Sequence, residues 1–409
     1  MADGSIEDRI KILRIIGRLN VGGPAIHVVN LTAGLDPDRY QSLLVAGREN
    51  EAEGSMLEFA LSHGVAPTVI AEIVTAFSLA PRDGKALWKL YQLMRKERPH
   101  IVHTHTAKAG FLGRLAARMA GVPIIVHTFH GHVLHGYYGP AKNELLRRIE
   151  QSLAWLCDRL VTVSEQVKNE LVGYSIAKAE KISVVPLGFD LDPFLNSHAQ
   201  QGEFRREMGL SNEHKLIGIV GRIFPIKNHA LFLDAAARVS ARERNARFIV
   251  VGDGVLRPTL ESQARELGIG DKVLFTGWRR DLPRLCVDLD VLVVSSDNEG
   301  TPVSAIEAMA ARCPVVATRV GGLPDLIDDH KTGRLVPPRN ADALASAVLD
   351  LLQSPHTARE LGRNAQEFVR QRFAVRRLLG DMDHLYRQLL AEKAISVSVT
   401  EKLAGSEIG

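Results

Sequence analysis

Two glutamates, Glu299 and Glu307, flank the start of a predicted helix in the last third of the chain. Four consecutive apolar residues, Val291–Val294, predict a buried strand just before them. Thr301 suits the N-cap and Pro302 the first helical position, because proline lacks an N–H that a helix start leaves unpaired. Glu299 then lies in the loop, and Glu307 lies inside the helix. Two carboxylates beside open N–H groups suit the hydroxyls of a sugar, although a surface glutamate and a helical salt bridge would give the same pattern.

A glycine and two basic residues form a turn between a predicted strand at 216–220 and a predicted helix that starts near Asn228. Gly221 ends the strand, Arg222 follows it, and Lys227 precedes the helix. An arginine can bind two phosphate oxygens at once, whereas a lysine acts as a point charge. A lysine at a helix start opposes the helix dipole, and a bound anion removes that conflict. The turn therefore indicates a diphosphate site, with two exposed surface residues as the alternative.

Six histidines lie at the ends of two consecutive predicted strands: His103, His105, His127, His130, His132 and His135. Because the carboxyl ends of parallel strands meet at one edge of a sheet, these side chains are expected to share a crevice. Alternation along the strands predicts that His103 and His127 point into the core, while His105 and His130 reach the opening. There they can exchange hydrogen bonds with hydroxyl groups. A two-metal site is the alternative, for which the neighbouring sequence offers no carboxylate ligands.

Three further patterns give weaker evidence of function. The run Gly252–Gly254 lacks the third glycine and the later acidic residue of a nicotinamide-cofactor loop. Asp288 and Asp290 lead directly into a predicted strand, which favours a role in strand entry over metal binding. The three cysteines are far apart and show no metal-ligand spacing, so no metal site is expected from them.

Short apolar strands alternate with amphipathic helices along nearly the whole chain, which predicts parallel sheets covered on both faces. A segment with glycine and two prolines near 186–194 interrupts this alternation. Together with the glycine turns that follow several strands, it favours two Rossmann-like, doubly wound α/β domains facing across a cleft over a single eightfold barrel. The expected boundaries are an N-terminal domain at 1–187, a linker at 188–203, a C-terminal domain at 204–372, a helix at 373–393 that could pack back on the first domain, and a flexible tail at 394–409.

The composition is that of an ordinary folded protein. Of the 409 residues, 45% are hydrophobic and 24% are charged, and the net charge of +4 requires no nucleic-acid partner. No apolar stretch approaches the roughly 20 residues that span a bilayer. The acidic N-terminus lacks the apolar core of a secretory signal. The odd number of cysteines indicates reduced thiols, and the expected location is the cytoplasm.

With these motifs in order, the sequence resembles the family 4 glycosyltransferases, which are retaining, use nucleotide sugars and have the GT-B fold. The resemblance extends from Ile10 to Leu390 and rests on motifs in both halves: Gly22-Gly23, Thr128-Phe129-His130, Gly221-Arg222 with Lys227-Asn228, Val251-Gly252-Asp253-Gly254, Phe275-Thr276-Gly277, Glu299-Gly300-Thr301-Pro302 with Glu307, and Gly321-Gly322-Leu323-Pro324-Asp325. The resemblance implies that Glu307 binds the ribose and Glu299 the transferred sugar. Pro24-Ala25 departs from the acidic residue that many relatives carry there, which leaves acceptor recognition open.

The donor-binding residues that the resemblance implies are Gly22, Gly23, Gly221, Arg222, Lys227, Gly277, Trp278, Arg279, Glu299, Gly300, Thr301, Pro302, Val303 and Glu307. The implied catalytic residues are His130, Arg222, Lys227 and Glu299, and the acceptor-side candidates are His105 and His132. No metal and no cofactor beyond the nucleotide-diphosphate sugar are implied, since the basic residues and helix starts stabilise the departing diphosphate. Front-face attack on the sugar would retain its anomeric configuration.

The implied partners are a nucleotide-sugar donor and a glycan or lipid-linked acceptor, in the synthesis of cell-surface polysaccharide or another glycoconjugate. Such acceptors often lie at the inner membrane face. The basic residues that could contact anionic lipid there, or simply form a solvated helix face, are Arg114, Arg118, Arg147 and Arg148. Three other activities stay open: a sugar-nucleotide epimerase of the same fold, a glycoside hydrolase that uses both glutamates, and a non-catalytic nucleotide-sugar binding protein.

Overall fold

The computed structural model describes residues 9–20, 22–48, 54–74, 80–131 and 140–395, which form two compact units. The first unit contains the chain up to Gly188 and again from Arg376, and the second contains Phe189–Val375. Each unit is built on one parallel β-sheet, which confirms the prediction of two doubly wound halves.

The first sheet has seven strands in the order β3-β2-β1-β4-β5-β6-β7, and neighbouring strands are parallel. Its strands are β1 Ile10–Ile16, β2 Tyr40–Ala46, β3 Thr68–Val69, β4 Ile101–His105, β5 Ile124–Phe129, β6 Arg159–Thr162 and β7 Ile182–Val184. The helices between them are α1 Gly23–Gly34, α2 Leu57–Ser62, α3 Pro81–Glu97, α4 Ala107–Ala120, α5 Pro140–Trp155 and α6 Glu165–Gly173.

The second sheet has six parallel strands in the order β10-β9-β8-β11-β12-β13. Its strands are β8 Lys215–Val220, β9 Ala246–Val251, β10 Val273–Gly277, β11 Val291–Val294, β12 Val315–Thr318 and β13 Arg334–Val336. The helices of this unit are α7 Asp192–Leu195, α8 Glu203–Glu207, α9 His229–Arg242, α10 Arg257–Glu266, α11 Leu282–Asp288, α12 Val303–Ala310, α13 Leu323–Leu326, α14 Ala341–Gln353 and α15 Pro355–Phe373.

The central strands are buried on both faces, which explains why the sequence shows them as unbroken apolar runs. In β1, Leu13 and Ile15 belong to one buried cluster, and Ile10 and Ile12 belong to another on the opposite face. All four residues of β11 are buried in the same way.

The last described helix, α16 Val375–Glu392, packs on the sheet of the first unit. Its residues Leu378 and Met382 share a buried cluster with Ile12 and Ile124. The chain therefore leaves the first unit after Gly188 and returns to it with this helix. Most of the expected tail, at 396–409, lies outside the described residues.

The segment at 189–203, where a linker was expected, lies in the second unit. It contains α7, and the Phe194 side chain of that helix is buried. The Phe189 N–H donates to the carbonyl of Phe373 at 2.8 Å, which ties the start of this segment to the end of α15.

The basic residues considered for membrane contact are largely paired within the first unit. Arg114 is fully buried and donates to Glu150 at 2.9 Å, so the expectation that it could face lipid is wrong. Arg147 and Arg148 both form ion pairs with Glu144. In the described part of the chain, no helix has both the length and the apolar content that a bilayer crossing needs.

The strand order reverses once in each sheet. β1 lies between β2 and β4 in the first sheet, and β8 lies between β9 and β11 in the second. Ligands of open parallel sheets bind outside the carboxyl ends of the strands at this switch point. The loops after β1 and β4, and those after β8 and β11, are therefore where each unit is expected to bind a ligand.

Candidate active site

Lys227 and Glu299 meet at the switch point of the second sheet. Lys227 ends a short 3-10 turn after β8, and Glu299 lies in the loop after β11. The Lys227 ammonium donates to Glu299 Oε1 at 2.5 Å, and the Ser296 hydroxyl donates to the same oxygen at 2.6 Å. The Glu299 side chain is 9% exposed, whereas that of Lys227 is 31% exposed. A partly exposed cation is thus held by an almost buried carboxylate.

A network of polar contacts ties the loops after β8 and β11 together. Asn228 has a left-handed backbone, and its Oδ1 accepts from the Leu231 N–H at the start of α9. Its Nδ2 donates to Asp297 at 3.2 Å, and the Asp297 N–H donates to the Ile226 carbonyl at 2.9 Å. The Ser295 hydroxyl contacts the Asn228 carbonyl at 2.9 Å. These bonds fix the position of Lys227 relative to Glu299.

Arg222 lies directly after β8 and is exposed. Its guanidinium stacks over the ring of Phe224, with 4.8 Å between the guanidinium carbon and the ring centre. Stacking on an aromatic face orients the guanidinium and leaves its edge N–H groups accessible. Arg222 can therefore offer two parallel donors to an anion.

The run Gly252–Gly254 packs against the backbone of this cationic turn. That packing explains the glycines of the run without a nicotinamide cofactor. A Cβ at Gly252 would lie 2.0 Å from the carbonyl oxygen of Gly221, closer than two such atoms can approach. The Ile223 N–H donates to the Asp253 carbonyl at 2.9 Å. Glycine is required here because the two backbones touch.

The Glu299 loop is held from the other side by Gly321 and Gly322. The Gly322 N–H donates to the Glu299 carbonyl at 2.9 Å. A Cβ at Gly322 would lie 2.1 Å from the carbonyl oxygen of Gly300. The glycine pair that the sequence motifs include thus fixes the backbone of the residue proposed to orient the sugar.

The helix after this loop, α12, begins at Val303, one residue later than predicted. Pro302 takes the cap position with an extended backbone, so Thr301 precedes the cap instead of forming it. Glu307 lies in the second turn, as expected. Burial raises the pKa of the Glu307 carboxyl to about 8, so this side chain is largely protonated at neutral pH in the free protein.

The raised pKa of Glu307 predicts a stability contribution that is lost as pH rises. The carboxyl ionises near 4.5 in the unfolded chain and at about 8 in the folded one. Between these values the unfolded state is stabilised by ionisation while the folded state keeps its proton. We expect Glu307→Gln to unfold at a higher temperature than wild type, by a margin that grows from about pH 5 to about pH 8.5.

Thermal unfolding at both pH values measures that margin. Glu367, an exposed residue of α15 whose pKa is lowered by Arg370, supplies the control. It is ionised throughout this range, so Glu367→Gln should show no growing margin. The same Tm difference for Glu307→Gln at both pH values would contradict the assignment.

The residues after β10 show two different environments. Gly277 has a left-handed backbone, and its carbonyl accepts from the Gly252 N–H at 2.9 Å. Trp278 is 57% exposed and free to stack on a ligand. Arg279, in contrast, forms ion pairs with Glu207 at 2.9 Å and Asp281 at 2.6 Å. Its guanidinium is already neutralised, so the structure does not present it to a ligand.

At the switch point of the first sheet, Gly22 and Gly23 begin α1. Gly22 is the cap residue, and neither a capping side chain nor an acidic residue occupies the first turn. The N–H groups of this helix start are therefore free of side-chain capping. The carboxyl ends of β4 and β5 lie alongside, with His105 of β4 in register with Thr128 of β5.

Three histidine rings meet beside this helix start: His27 of α1, His105 and His130. His105 Nδ1 and His130 Nε2 lie 3.1 Å apart, and the centres of the His27 and His130 rings lie 5.0 Å apart. Burial lowers the pKa of His130 to about 3 and lowers the pKa values of His27 and His105, so all three rings are neutral at pH 7. His27 was not singled out in the sequence, although a polar residue within the apolar run 26–29 of α1 was a signal for it.

The expectations for the other histidines are met in part. His103 and His127 point into the core as predicted, where His103 contacts the Tyr386 hydroxyl at 2.6 Å. His105 does not reach the opening: its side chain is fully buried against His27 and His130, because α1 covers the end of β4. It therefore cannot contact an acceptor directly. His132 lies outside the described residues.

Comparisons with known proteins match both units. Residues 21–193 match the family described as Glycosyltransferase Family 4, and residues 200–368 match Glycosyl transferases group 1. A UDP-Gal:alpha-D-GlcNAc-diphosphoundecaprenol alpha-1,3-galactosyltransferase of Escherichia coli is 28% identical over 76% of this chain and 81% of its own length. A D-inositol 3-phosphate glycosyltransferase of Saccharomonospora viridis is 32% identical over 71% of this chain and 70% of its own.

Among solved structures, Anabaena Alr3699/HepE in complex with UDP aligns with a TM-score of 0.79, over 93% of this chain and 100% of its own, at 22% identity. The two Rossmann-like units have the GT-B fold, and the family models and relatives identify the protein as a glycosyltransferase. The family models together cover most of the sequence. The chain belongs to the family 4 glycosyltransferases.

Proposed function

We propose that this protein is a retaining, metal-independent glycosyltransferase that moves a sugar from a nucleotide-diphosphate sugar to a glycan or lipid-linked acceptor. The observation that carries the proposal is the meeting of Lys227 and Glu299 between the carboxyl ends of β8 and β11. A diphosphate sugar needs a cation for its phosphates and, directly beside it, an acceptor for its hydroxyls. These two side chains supply both.

Donor binding would exchange the partner of Lys227. The ammonium donates to Glu299. A diphosphate offers it a stronger anionic partner and draws Arg222 in as a second cation. Glu299, which keeps its bond from Ser296, can then accept hydrogen bonds from the transferred sugar. The residue pair would thus be pre-positioned for its donor by its own ion pair.

The remaining donor contacts follow from the loops. Glu307 is assigned to the ribose hydroxyls, and the exposed ring of Trp278 is assigned to the base. The other contacts proposed are those of Gly22, Gly23, Gly221, Gly277, Arg279, Gly300, Thr301, Pro302 and Val303. Because the Arg279 guanidinium is held by two carboxylates, we assign this residue a backbone contact.

The reaction breaks the bond between the anomeric carbon and the diphosphate oxygen and forms a new bond to the acceptor oxygen. The acceptor's proton passes to the departing diphosphate, which acts as the base. Arg222 and Lys227 stabilise the negative charge as it gathers on the diphosphate. His130, neutral because of its low pKa, is assigned a hydrogen bond to the transferred sugar. Attack from the face that the diphosphate leaves retains the anomeric configuration.

The names of the relatives indicate which substrates to test first. The Escherichia coli enzyme is named for UDP-Gal and a diphosphoundecaprenol acceptor, and the Anabaena structure contains UDP. The Saccharomonospora viridis enzyme is named for D-inositol 3-phosphate. These names support a UDP sugar as donor and an acceptor that carries phosphate, in cell-surface glycoconjugate synthesis.

A donor screen followed by a transfer assay tests the proposal. A nucleotide sugar at 100 times its Kd should stabilise the protein by about 2.7 kcal/mol in thermal unfolding. The best donor is then incubated with diphosphopolyprenol-linked GlcNAc or with inositol 3-phosphate in the presence of a chelator. We expect a product whose anomeric proton coupling matches that of the donor. Inversion, dependence on added metal, or donor turnover without an acceptor would each contradict the proposal.

Work on a lipid-linked acceptor would place the protein in the cytoplasm, at the inner membrane face. Exposed apolar residues of the first unit support this: Leu145 is 58% and Trp155 77% exposed on α5, and Met119 is 56% exposed on α4. Arg118 is exposed beside Met119. Apolar side chains next to a cation are typical of surfaces that bind anionic lipid. Flotation with anionic vesicles at low salt tests this, and absence of the protein from the vesicle fraction would contradict it.

A further inference from the structure

The three histidines of the first unit form a group that the proposed reaction does not fully use. His27, His105 and His130 each present one ring nitrogen, and these nitrogens lie within 4.8 Å of one another. The residues come from three separate elements: the middle of α1, the end of β4, and the position after β5. Only the topology of the sheet brings them together, since 78 residues separate His27 from His105 in the sequence.

Most of the ring nitrogens in this group lack a hydrogen-bond partner. His105 Nδ1 and His130 Nε2 contact each other. Within the described residues, the other four nitrogens (both of His27, His105 Nε2 and His130 Nδ1) are buried without any partner. A buried polar atom with no partner costs free energy, so the group is better satisfied with a ligand than without one.

The spacing of the rings is compatible with three ligands to one metal ion. Zinc bound to two imidazoles at about 2.0–2.1 Å in tetrahedral geometry holds their nitrogens about 3.3 Å apart. His105 Nδ1 and His130 Nε2 are already 3.1 Å apart. The three candidate ligand nitrogens lie within 4.8 Å of one another, so His27 has to move closer to complete three ligands at such distances. All three rings are neutral at pH 7, so their lone pairs are available.

We propose that His27, His105 and His130 bind one transition-metal dication of the zinc class, with a fourth position open to water or an anion. Imidazole nitrogen suits zinc, cobalt, nickel and copper, whereas magnesium and calcium require oxygen ligands. This site belongs to the first unit and has no role in holding the donor diphosphate. Its expected effect on transfer is inhibition, because the metal would occupy the His130 ring that the proposed function assigns to the sugar.

The surrounding charges limit the affinity of this site. Arg14 is fully buried, and its charge contributes to the lowered pKa values of His27 and His105, so it also repels a bound dication. No carboxylate belongs to the group as described. An anionic fourth ligand, such as hydroxide or a phosphate oxygen, would offset that repulsion. Binding is therefore expected to tighten as pH rises.

Cobalt titration tests the site without any measurement of transfer. The full-length protein is stripped with a chelator and titrated with Co²⁺ alone, which absorbs strongly in the visible range when four-coordinate. We expect one Co²⁺ per chain, displaced by Zn²⁺. His27→Gln and His130→Ala should each weaken binding by at least about tenfold.

His229 provides the matched control, because it is also buried with both ring nitrogens unpartnered but lies in the second unit. His229→Gln should bind cobalt as wild type does. Circular dichroism establishes that each variant is folded, and the partly exposed His130 gives a variant that should fold even if His27→Gln does not. Absence of the visible bands in wild type, or equal binding by His130→Ala, would overturn the proposal. Either result would leave the proposed function standing, because the donor screen and the transfer assay test it separately.

Discussion

Replacing Lys227 with alanine is expected to lower kcat by about 10²–10³ with little change in the temperature of unfolding. The ammonium lies at the carboxyl end of β8, where it is partly exposed and paired with Glu299. In the transition state the diphosphate gains negative charge, so a cation that is already in place stabilises it more than it stabilises the bound donor. Lys227 is 31% exposed, and Glu299 keeps the hydrogen bond from Ser296 when the ammonium is removed, so the loss costs the fold little. Arg222→Ala is expected to lower kcat by a similar factor, because Arg222 provides the second cation for the same diphosphate.

Single-turnover kinetics with saturating donor measure this effect separately from binding. Lys331 provides a matched control: it pairs with Asp328 at 2.9 Å on the surface of the same unit, far from the loops after β8 and β11 in sequence. Lys331→Ala should keep wild-type kcat. If Lys227→Ala and Arg222→Ala both keep wild-type turnover, the diphosphate site has been misplaced.

Gly322→Ala is expected to lower kcat/KM by about 100-fold, although residue 322 would contact no substrate. The new Cβ would lie 2.1 Å from the carbonyl oxygen of Gly300, so the loop that carries Glu299 has to move. A displacement near 1 Å at a substrate-orienting group is enough for a loss of this size. The overpacked contact should also destabilise the fold by about 1–3 kcal/mol.

Gly380→Ala separates this local effect from the general effect of an added methyl group. Gly380 lies inside α16, where a Cβ would meet no atom within 4 Å. That variant should be more stable than wild type by about 0.5–1 kcal/mol and fully active, because alanine favours the helix. Wild-type kcat/KM in a folded Gly322→Ala protein would show that the glycine pair does not position Glu299.

The sequence predicts the buried strands well because their apolar runs are continuous. β11 is found at the predicted residues, 291–294, and β8 covers the predicted 216–220 and begins one residue earlier, at Lys215. The strands β3 and β13 were not predicted. β3 consists of only two residues, both exposed. β13 consists of three residues and begins with Arg334. Neither strand contains an apolar run long enough to be recognised in the sequence. Their place in the sheets depends on pairing with β2 and β12, which sequence patterns do not reveal.

The candidate donor site could be predicted because its residues follow strands that the sequence identifies. Lys227 and Glu299 lie 72 residues apart and still meet, since β8 and β11 are neighbours at the switch point. The histidine group was predicted less well. Strand alternation gives the face of His105 but not what covers the end of β4, and His27 on the covering helix was missed. The ion pair between Arg279 and Glu207 could not be predicted from the sequence either, because these residues meet only in the folded second unit.

The return of the chain to its first unit with α16 sets an order of events during synthesis. When the ribosome has produced the chain as far as Gly188, the sheet around Ile12 and Ile124 still lacks the helix that completes its cover. The second unit comes from one unbroken stretch, Phe189–Val375, and can mature while the first is still incomplete. A nascent chain that stalls before α16 therefore exposes the apolar residues that this helix covers, and exposed apolar surface of this kind promotes aggregation.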